Sequence, residues 1–465
     1  MVTQLGERFT HLFLRYMPDA FVFALILTIV AGLGAFFWLD ASFLELIQSW
    51  YNGFFDLLTF GMQIVLIIIT GFSIALSPVV NKAIDRLTQY IKTPKQVYFF
   101  VIFIGMLLSL VSFGWIVITC VLARELAMRI KGINYPFLVA CVYFSMNTWV
   151  MGLSSSIPLL LNTEENYLIK ASVLNQVIST PYTLGAFLNI GMILLMVIVA
   201  PVLMLLLVPK MVENKELKDL LKHDDVNREN SIKEEAESLK LPFKSWSDKL
   251  NNSVILQMTI AILGLTYIVY HFYTKGFDLN FNIMIFIFLM VGLCLHKTPM
   301  RYVISMKRSS RNISGILFQY PFYAGIMGIM LYTGLGAKLA EMLASIATIE
   351  SYPFYAYITG GLINFAIPSA GGEFAVVGPS IIEAVKEIGS GLPTDEVNAM
   401  ISRASMSIAY GESLSNMLQP FYLLLVMPVM ASGIKLQARD VMGYLFIPLI
   451  IFFILQVIMV LYIPI

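Results

Sequence analysis

The chain has 465 residues, of which 58% are hydrophobic and only 13% charged, with 30 basic and 29 acidic side chains. That balance excludes an ordinary soluble domain of this size and points to a polytopic membrane protein. The near-zero net charge also excludes a general nucleic-acid binder, which needs clustered Lys and Arg to neutralise phosphates.

At the N-terminus, "MVTQLGERFTHLFLRYMPD" precedes "FVFALILTIVAGLGAFFWL" without a small-x-small cleavage site, which predicts a retained first span rather than a signal peptide. Crossing about 30 Å of hydrocarbon takes about 20 mostly apolar residues. Nine windows qualify: 20–39, 56–77, 135–153, 183–208, 254–272, 279–295, 313–331, 399–430 and 440–464. Two further apolar stretches, 97–128 and 354–388, are interrupted at "SFGW" (112–115) and at "PSAGG" (368–372), and each half reads as too short to span. Charge decides how to treat them, because cytoplasmic loops carry the Lys and Arg excess. With both as re-entrant hairpins and the N-terminus inside, inner segments hold 25 of the 30 basic residues. "HKTPMRYVISMKRSSR" (296–311), with five basic residues and no acid, anchors the assignment. Making one hairpin a full crossing would reverse everything after it.

The predicted architecture is an all-α integral protein of the plasma (inner) membrane, with a cytoplasmic N-terminus. It has about nine transmembrane helices plus two re-entrant helical hairpins in an inverted-topology repeat, with broken helices at the midplane. The first repeat covers 1–208 and the second 279–465, joined by a polar cytoplasmic loop and a connecting span over 209–278. Five crossings separate the two starts, so the units face opposite ways, and such a repeat places its binding site near the midplane where they meet. The loop 209–253 carries no readable chemistry.

Non-helical backbone at membrane depth must be buried in protein or line a wet cavity. The interruptions therefore nominate a substrate site. It comprises Ser112, Phe113, Gly114 and Trp115 at one tip, and Asn364, Pro368, Ser369, Ala370, Gly371, Gly372 and Glu373 at the other. The breaks in the following spans add Ser154, Ser155 and Ser156, then Tyr410, Ser413, Asn416 and Gln419. At each tip the second arm opens with backbone N–H groups and the positive end of a helix dipole, which suits a carboxylate. The first arm closes with carbonyls that suit a cation. Glu373 and Glu412 are the acids expected at depth. A charge there costs about 2.5–3.5 kcal/mol on insertion scales, so such residues serve substrate, cation or proton, or else stay protonated as structural hydrogen bonders. Phe113, Trp115, Phe365, Ile367 and Phe374 flank the tips and could receive a short acyl chain or simply pack.

Arg403 precedes Glu412 by nine residues, about 13 Å along a helix, and is expected at the outer mouth. Arg124 and Glu125 are expected near the inner interface. Enzymatic readings find little support. His11, His223, His271 and His296 read as terminal or loop residues, so no histidine-based triad or metal site is available at the breaks, and no Gly-rich phosphate loop signals direct ATP use. Cys120, Cys141 and Cys294 show no metal-ligand spacing. No cofactor is expected, only a possible coupling ion, Na+ or H+.

"FGMQIVLIIITG" (60–71), "HKTPM" (296–300), "QYPFYAGI" (319–326), "NFAIPSAGGEF" (364–374) and "AYGESLSNMLQPF" (409–421) together resemble the short-chain fatty acid transporter family, the AtoE type, over nearly the whole chain. The resemblance implies cation- or proton-coupled uptake of short-chain monocarboxylates such as acetoacetate and butyrate. More distantly, it implies kinship with ion transporters that have paired re-entrant hairpins, a dimerising scaffold and a mobile transport domain. The expected partners are thus a small carboxylate, membrane lipid and a second copy in a homodimer. Dicarboxylate carriers and anion channels are the alternatives. Where that family's motif has a third glycine and then histidine, this chain has Ala370 and Glu373, which bears on substrate and coupling ion rather than on fold.

Overall fold

The computed structural model describes residues 18–56, 58–87, 89–163, 166–170, 172–209, 215–221, 231–241, 243, 245–276, 281–310 and 313–465. Arg8, His11, Arg15 and His223 lie outside them. Among the described residues the chain is helical throughout, and the only strand-like pairing is an isolated bridge between Leu221 and Ile434.

The first half runs α1 (Ala20–Leu39), α2 (Phe43–Asp56), α3 (Leu58–Ala75), α4 (Pro78–Leu87), α5 (Pro94–Val111), α6 (Ile116–Arg129), α7 (Tyr135–Ser145), α8 (Ser156–Leu161) and α9 (Phe187–Leu206). The connecting segment holds the short α10 (Leu217–Leu220), then α11 (Ile232–Ser238) and α12 (Val254–Lys275). The second half runs α13 (Phe281–His296), α14 (Pro299–Ser309), α15 (Ser314–Tyr332), α16 (Leu335–Ser345), α17 (Tyr352–Ile363), α18 (Ala370–Ile388), α19 (Thr394–Ser415), α20 (Pro420–Met430) and α21 (Phe446–Tyr462). Helix type and order in α13–α21 follow those in α1–α9. Each half has two apolar helices alternating with two short amphipathic ones, then a helix pair, a broken helix and a final apolar helix.

Among the described residues, six helical segments are long and apolar enough to cross a membrane, or up to nine if each bent pair counts as one. The bends fall at α3–α4 (58°), α15–α16 (63°) and α19–α20 (57°). One expectation changes. The first half of the stretch 97–128 is not too short, because helix α5 begins three residues earlier and reaches 18 residues. Thr93 and Gln96 form a capping box and Pro94 supplies its fixed φ at the first helical position, so the helix starts before its apolar run. His271 and His296 likewise belong to helices, the last turns of α12 and α13, rather than to loops.

The interrupted stretch does fold back on itself. A Cβ built at Gly105, seven residues before Ser112, would stand 2.8 Å from Cγ2 of Thr119, seven residues after it. In one continuous helix those positions would be about 21 Å apart. The second pair, α17 and α18, also packs arm against arm.

The helices sort into two groups. α1, α2, α3, α12, α13, α14 and α15 pack among themselves. The two hairpins, the broken spans α7–α8 and α19–α20, α9 and α21 form the other, with the bulk of the buried apolar side chains. The groups meet where α3 touches α6 and the turn 113–115, and where α15 touches α20.

Candidate functional site

Two helices lose their α-helical ladder in matching positions. α7 tightens into a 3-10 segment, Met146–Met151, and becomes extended at Gly152. α19 tightens into Asn416–Leu418, and Gln419 and Pro420 then open α20. A 3-10 segment cannot continue the i to i−4 bonds, so carbonyls at each break need other donors. They find them across the repeat. The Tyr143 hydroxyl donates to the carbonyls of Asn416 and Gln419, the latter at 2.7 Å, and the Ser413 hydroxyl donates to the carbonyl of Asn147. The two broken helices therefore lock together at their breaks.

Each hairpin tip is fastened to this crossing. At the first, the Phe113 N–H donates to Oγ of Ser154 at 3.0 Å, and the Leu153 N–H donates to the carbonyl of Leu110 at 2.8 Å. Gly152 is required there, since a Cβ would lie 2.1 Å from the Leu110 oxygen. Ser112 takes up extended backbone between the arms, Gly114 faces Ile67 on α3, and the Phe113 ring meets Trp149 edge-on at 5.0 Å.

At the second tip the Asn364 amide donates to Oγ of Ser415 (2.8 Å), Oδ1 of Asn416 (2.6 Å) and the Glu412 carbonyl (3.2 Å). The Gln419 amide returns bonds to the carbonyls of Asn364 and Phe365. Pro368 precedes Ser369, whose hydroxyl caps α18 by accepting from Gly372 N–H. Gly371 faces Ser156 of the first break. Ser154 and Ser156, two residues apart, thus serve one tip each, and the tips are joined through the broken spans.

Most predicted residues gather here, but five do not join these contacts. Tyr410 spends its hydroxyl on Oδ1 of Asn189 at 3.0 Å, on α9. Ile367 and Phe374 are fully buried and belong to the core. Ser155 starts α8 without a side-chain capping bond, and Ala370 is buried in the first turn of α18.

Glu373 and Glu412 are both 0% exposed, and they stand on α18 and α19, two helices that pack against each other. Glu373 sits in the first turn of α18, at the helix end where an anion is favoured. Glu412 accepts a bond from the Tyr422 hydroxyl at 3.3 Å. Among the described residues, both Glu373 oxygens and Oε2 of Glu412 have no hydrogen-bond partner. The cations on neighbouring helices face away. Arg124 caps the carbonyls of Val429, Met430 and Ser432; Lys386 donates to the carbonyl of Val173; Arg403 donates to that of Ile463. Among the described residues no group of three or more His, Cys, Asp or Glu could hold a metal ion.

Tyr143, Asn147 and Tyr422 escaped the sequence reading, and Ser415 fell inside the nominated break 410–419 without being singled out. Ser415 and Asn147 lie in polar runs that could have flagged them. The two tyrosines sit inside apolar runs, "ACVYFS" and "PFYLLL", where an aromatic ring reads as packing.

A family model described as short chain fatty acid transporter matches residues 1–463. A candidate short-chain fatty acid transporter of Haemophilus influenzae is 34% identical over 449 residues, covering 96% of both chains. One of Escherichia coli is 32% identical over 445 residues, again 96% of both. Among solved structures, the chain is similar to the YdaH transporter of Alcanivorax borkumensis (TM-score 0.40, 14% identity, 87% of this chain and 86% of that one). It is also similar to MtrF of Neisseria gonorrhoeae (TM-score 0.38, 15% identity, 97% and 96%).

Proposed function

We propose, from the premise that the chain belongs to the short-chain fatty acid transporter family, that it takes up a short-chain monocarboxylate such as butyrate or acetoacetate together with a proton or a sodium ion. The observation that carries the coupling is the pair Glu373 and Glu412, buried together without a basic partner among the described residues.

A substrate carboxylate drawn to the N-terminus of α18 meets the Glu373 carboxyl in the same turn. Two like charges 4 Å apart repel by about 4 kcal/mol at an effective dielectric of 20, and a third acid beside them raises the cost. A proton or Na+ that enters with the anion offsets this, so anion and cation move together. Ser369, Asn364 and the tip backbone supply neutral donors and carbonyls. Phe113 and Trp149 offer an apolar wall to the acyl chain. A doubly charged substrate would need a further cation, whereas Arg124, Lys386 and Arg403 are committed to carbonyls elsewhere. The re-entrant hairpins of an inverted repeat, moving as a body against α1–α3 and α13–α15 in a homodimer, are the corresponding mechanical reading, held by analogy of architecture.

The test is uptake of labelled butyrate by purified protein in proteoliposomes under an imposed proton gradient, then a sodium gradient. One gradient should raise the initial rate, and Glu373→Gln should lose that stimulation. Wild-type uptake indifferent to both gradients would overturn the coupling.

A further inference from the structure

Tyr422 belongs to neither tip nor to the breaks, yet it touches Glu412 and the first tip at once. It is 4% exposed. Its hydroxyl donates to Oε1 of Glu412 at 3.3 Å, and its ring meets Phe113 edge-on at 6.0 Å between centroids. The adjacent ring of Phe421, itself edge-on to Tyr422 at 5.5 Å, packs against Tyr320 (4.8 Å) and Tyr323 (5.0 Å) on α15. The first turn of α20 therefore stands where Glu412, the first tip and the helix group containing α15 converge.

We infer that Tyr422 is a positioning residue which ties the occupancy of the acid pair to the first hairpin tip, an inference that rests on the coupled-carrier reading above. Its hydroxyl reaches Glu412 on α19, Glu373 stands on the neighbouring helix α18, and Tyr320 of α15 adjoins it through the Phe421 ring. When Glu412 is ionised, the tyrosine O–H donates to it and the ring is held against Phe113. When Glu412 takes a proton the bond loses its charge assistance, and when its oxygens turn to a sodium ion the hydroxyl competes with the ion for them. The hold on the ring at its hydroxyl end then weakens. Cation binding at the acids is transmitted to residue 113 through a single rigid side chain.

The measurement is the coupling ratio: initial butyrate uptake with the stimulating gradient divided by uptake without it. Tyr422→Phe keeps the ring and removes the hydroxyl. Loss of a hydrogen bond to a charged group changes an equilibrium by about tenfold or more, so the ratio should fall by about that factor, toward one. A merely structural role would lower both rates together and leave the ratio alone. Phe113→Leu, which removes the edge contact from the tip's side, should lower the ratio while the tyrosine hydroxyl is intact, and serves if the first variant does not fold. Coupled wild type with equally coupled variants overturns the role of Tyr422 alone. Uncoupled wild type overturns the carrier reading and this inference with it.

Discussion

At the scale of single residues, Asn364 illustrates how a polar side chain in an apolar run acquires its role. Its amide reaches three acceptors on α19 and the following 3-10 turn, and its own carbonyl accepts from Gln419. Leaving buried partners unmade costs about 1–3 kcal/mol each. Asn364→Ala should therefore lower the thermal midpoint of the purified protein and slow uptake. Asn364→Asp preserves shape but removes both donors and points a carboxyl at three acceptors and the nearby Glu412. It should be worse than alanine in both assays; an aspartate variant as stable as wild type would show that shape rather than donation holds the tip. The polar character of Asn364, Ser413, Asn416 and Gln419 was legible in the sequence because it interrupts hydrophobic stretches. Their partners were not, since each lies on a helix about fifty residues away or in the other repeat. Tyr422 and Tyr143 were illegible for a different reason: a hydroxyl on an aromatic ring leaves no trace in a hydrophobic pattern.

At the scale of elements, proline and glycine at the tips announced the interruptions, and the arms of the first hairpin do fold back. The short amphipathic helices α2, α4, α14 and α16 were invisible to a search for 20-residue windows, which left them in the connections between spans. Backbone packing was also hidden. α17 and α19 approach so closely that a Cβ at Gly411 would stand 1.9 Å from the Tyr357 carbonyl oxygen, and one at Gly360 would stand 2.2 Å from that of Ile408. Gly361, one position on, has 3.4 Å to its nearest neighbour, an ordinary contact. Small residues let helix backbones meet in membranes, but the sequence does not say which glycine carries the contact. Gly411→Ala must separate the second hairpin from the broken span that carries Glu412, at a cost of about 1–3 kcal/mol or more. It should lower the thermal midpoint and abolish uptake, while Gly361→Ala leaves both near wild type. Equal effects of the two would mean that the helices are not held at this distance in the membrane.

At the scale of the whole molecule, the connecting segment that carried no readable chemistry has a mechanical arrangement. One end docks on the hairpin group: Glu216 accepts from the Gly132 N–H at 2.8 Å, the Lys215 carbonyl accepts from the Tyr135 N–H at 2.9 Å, Leu217 is buried beside α6, and Leu221 bridges to Ile434. The other end docks on the outer group. There Arg308 of α14 pairs with Glu235, and Ile232 and Ala236 of α11 pack on Ile304, Leu76 and Met300. The segment thus carries one anchor on each helix group, with 222–230, outside the described residues, between them in sequence. If transport moves the groups relative to one another, the segment acts as a strap that restrains that motion, and releasing either anchor removes the same restraint. Glu216→Ala and Arg308→Ala should each change the maximal rate of butyrate uptake in the same direction with little effect on apparent affinity. The double variant should do no more than the larger single one, since a strap cut at one end is already slack. Independent sites this far apart would instead add in free energy. Additive effects on the maximal rate would show that each anchor acts only locally, and that the two helix groups are not tied through this segment.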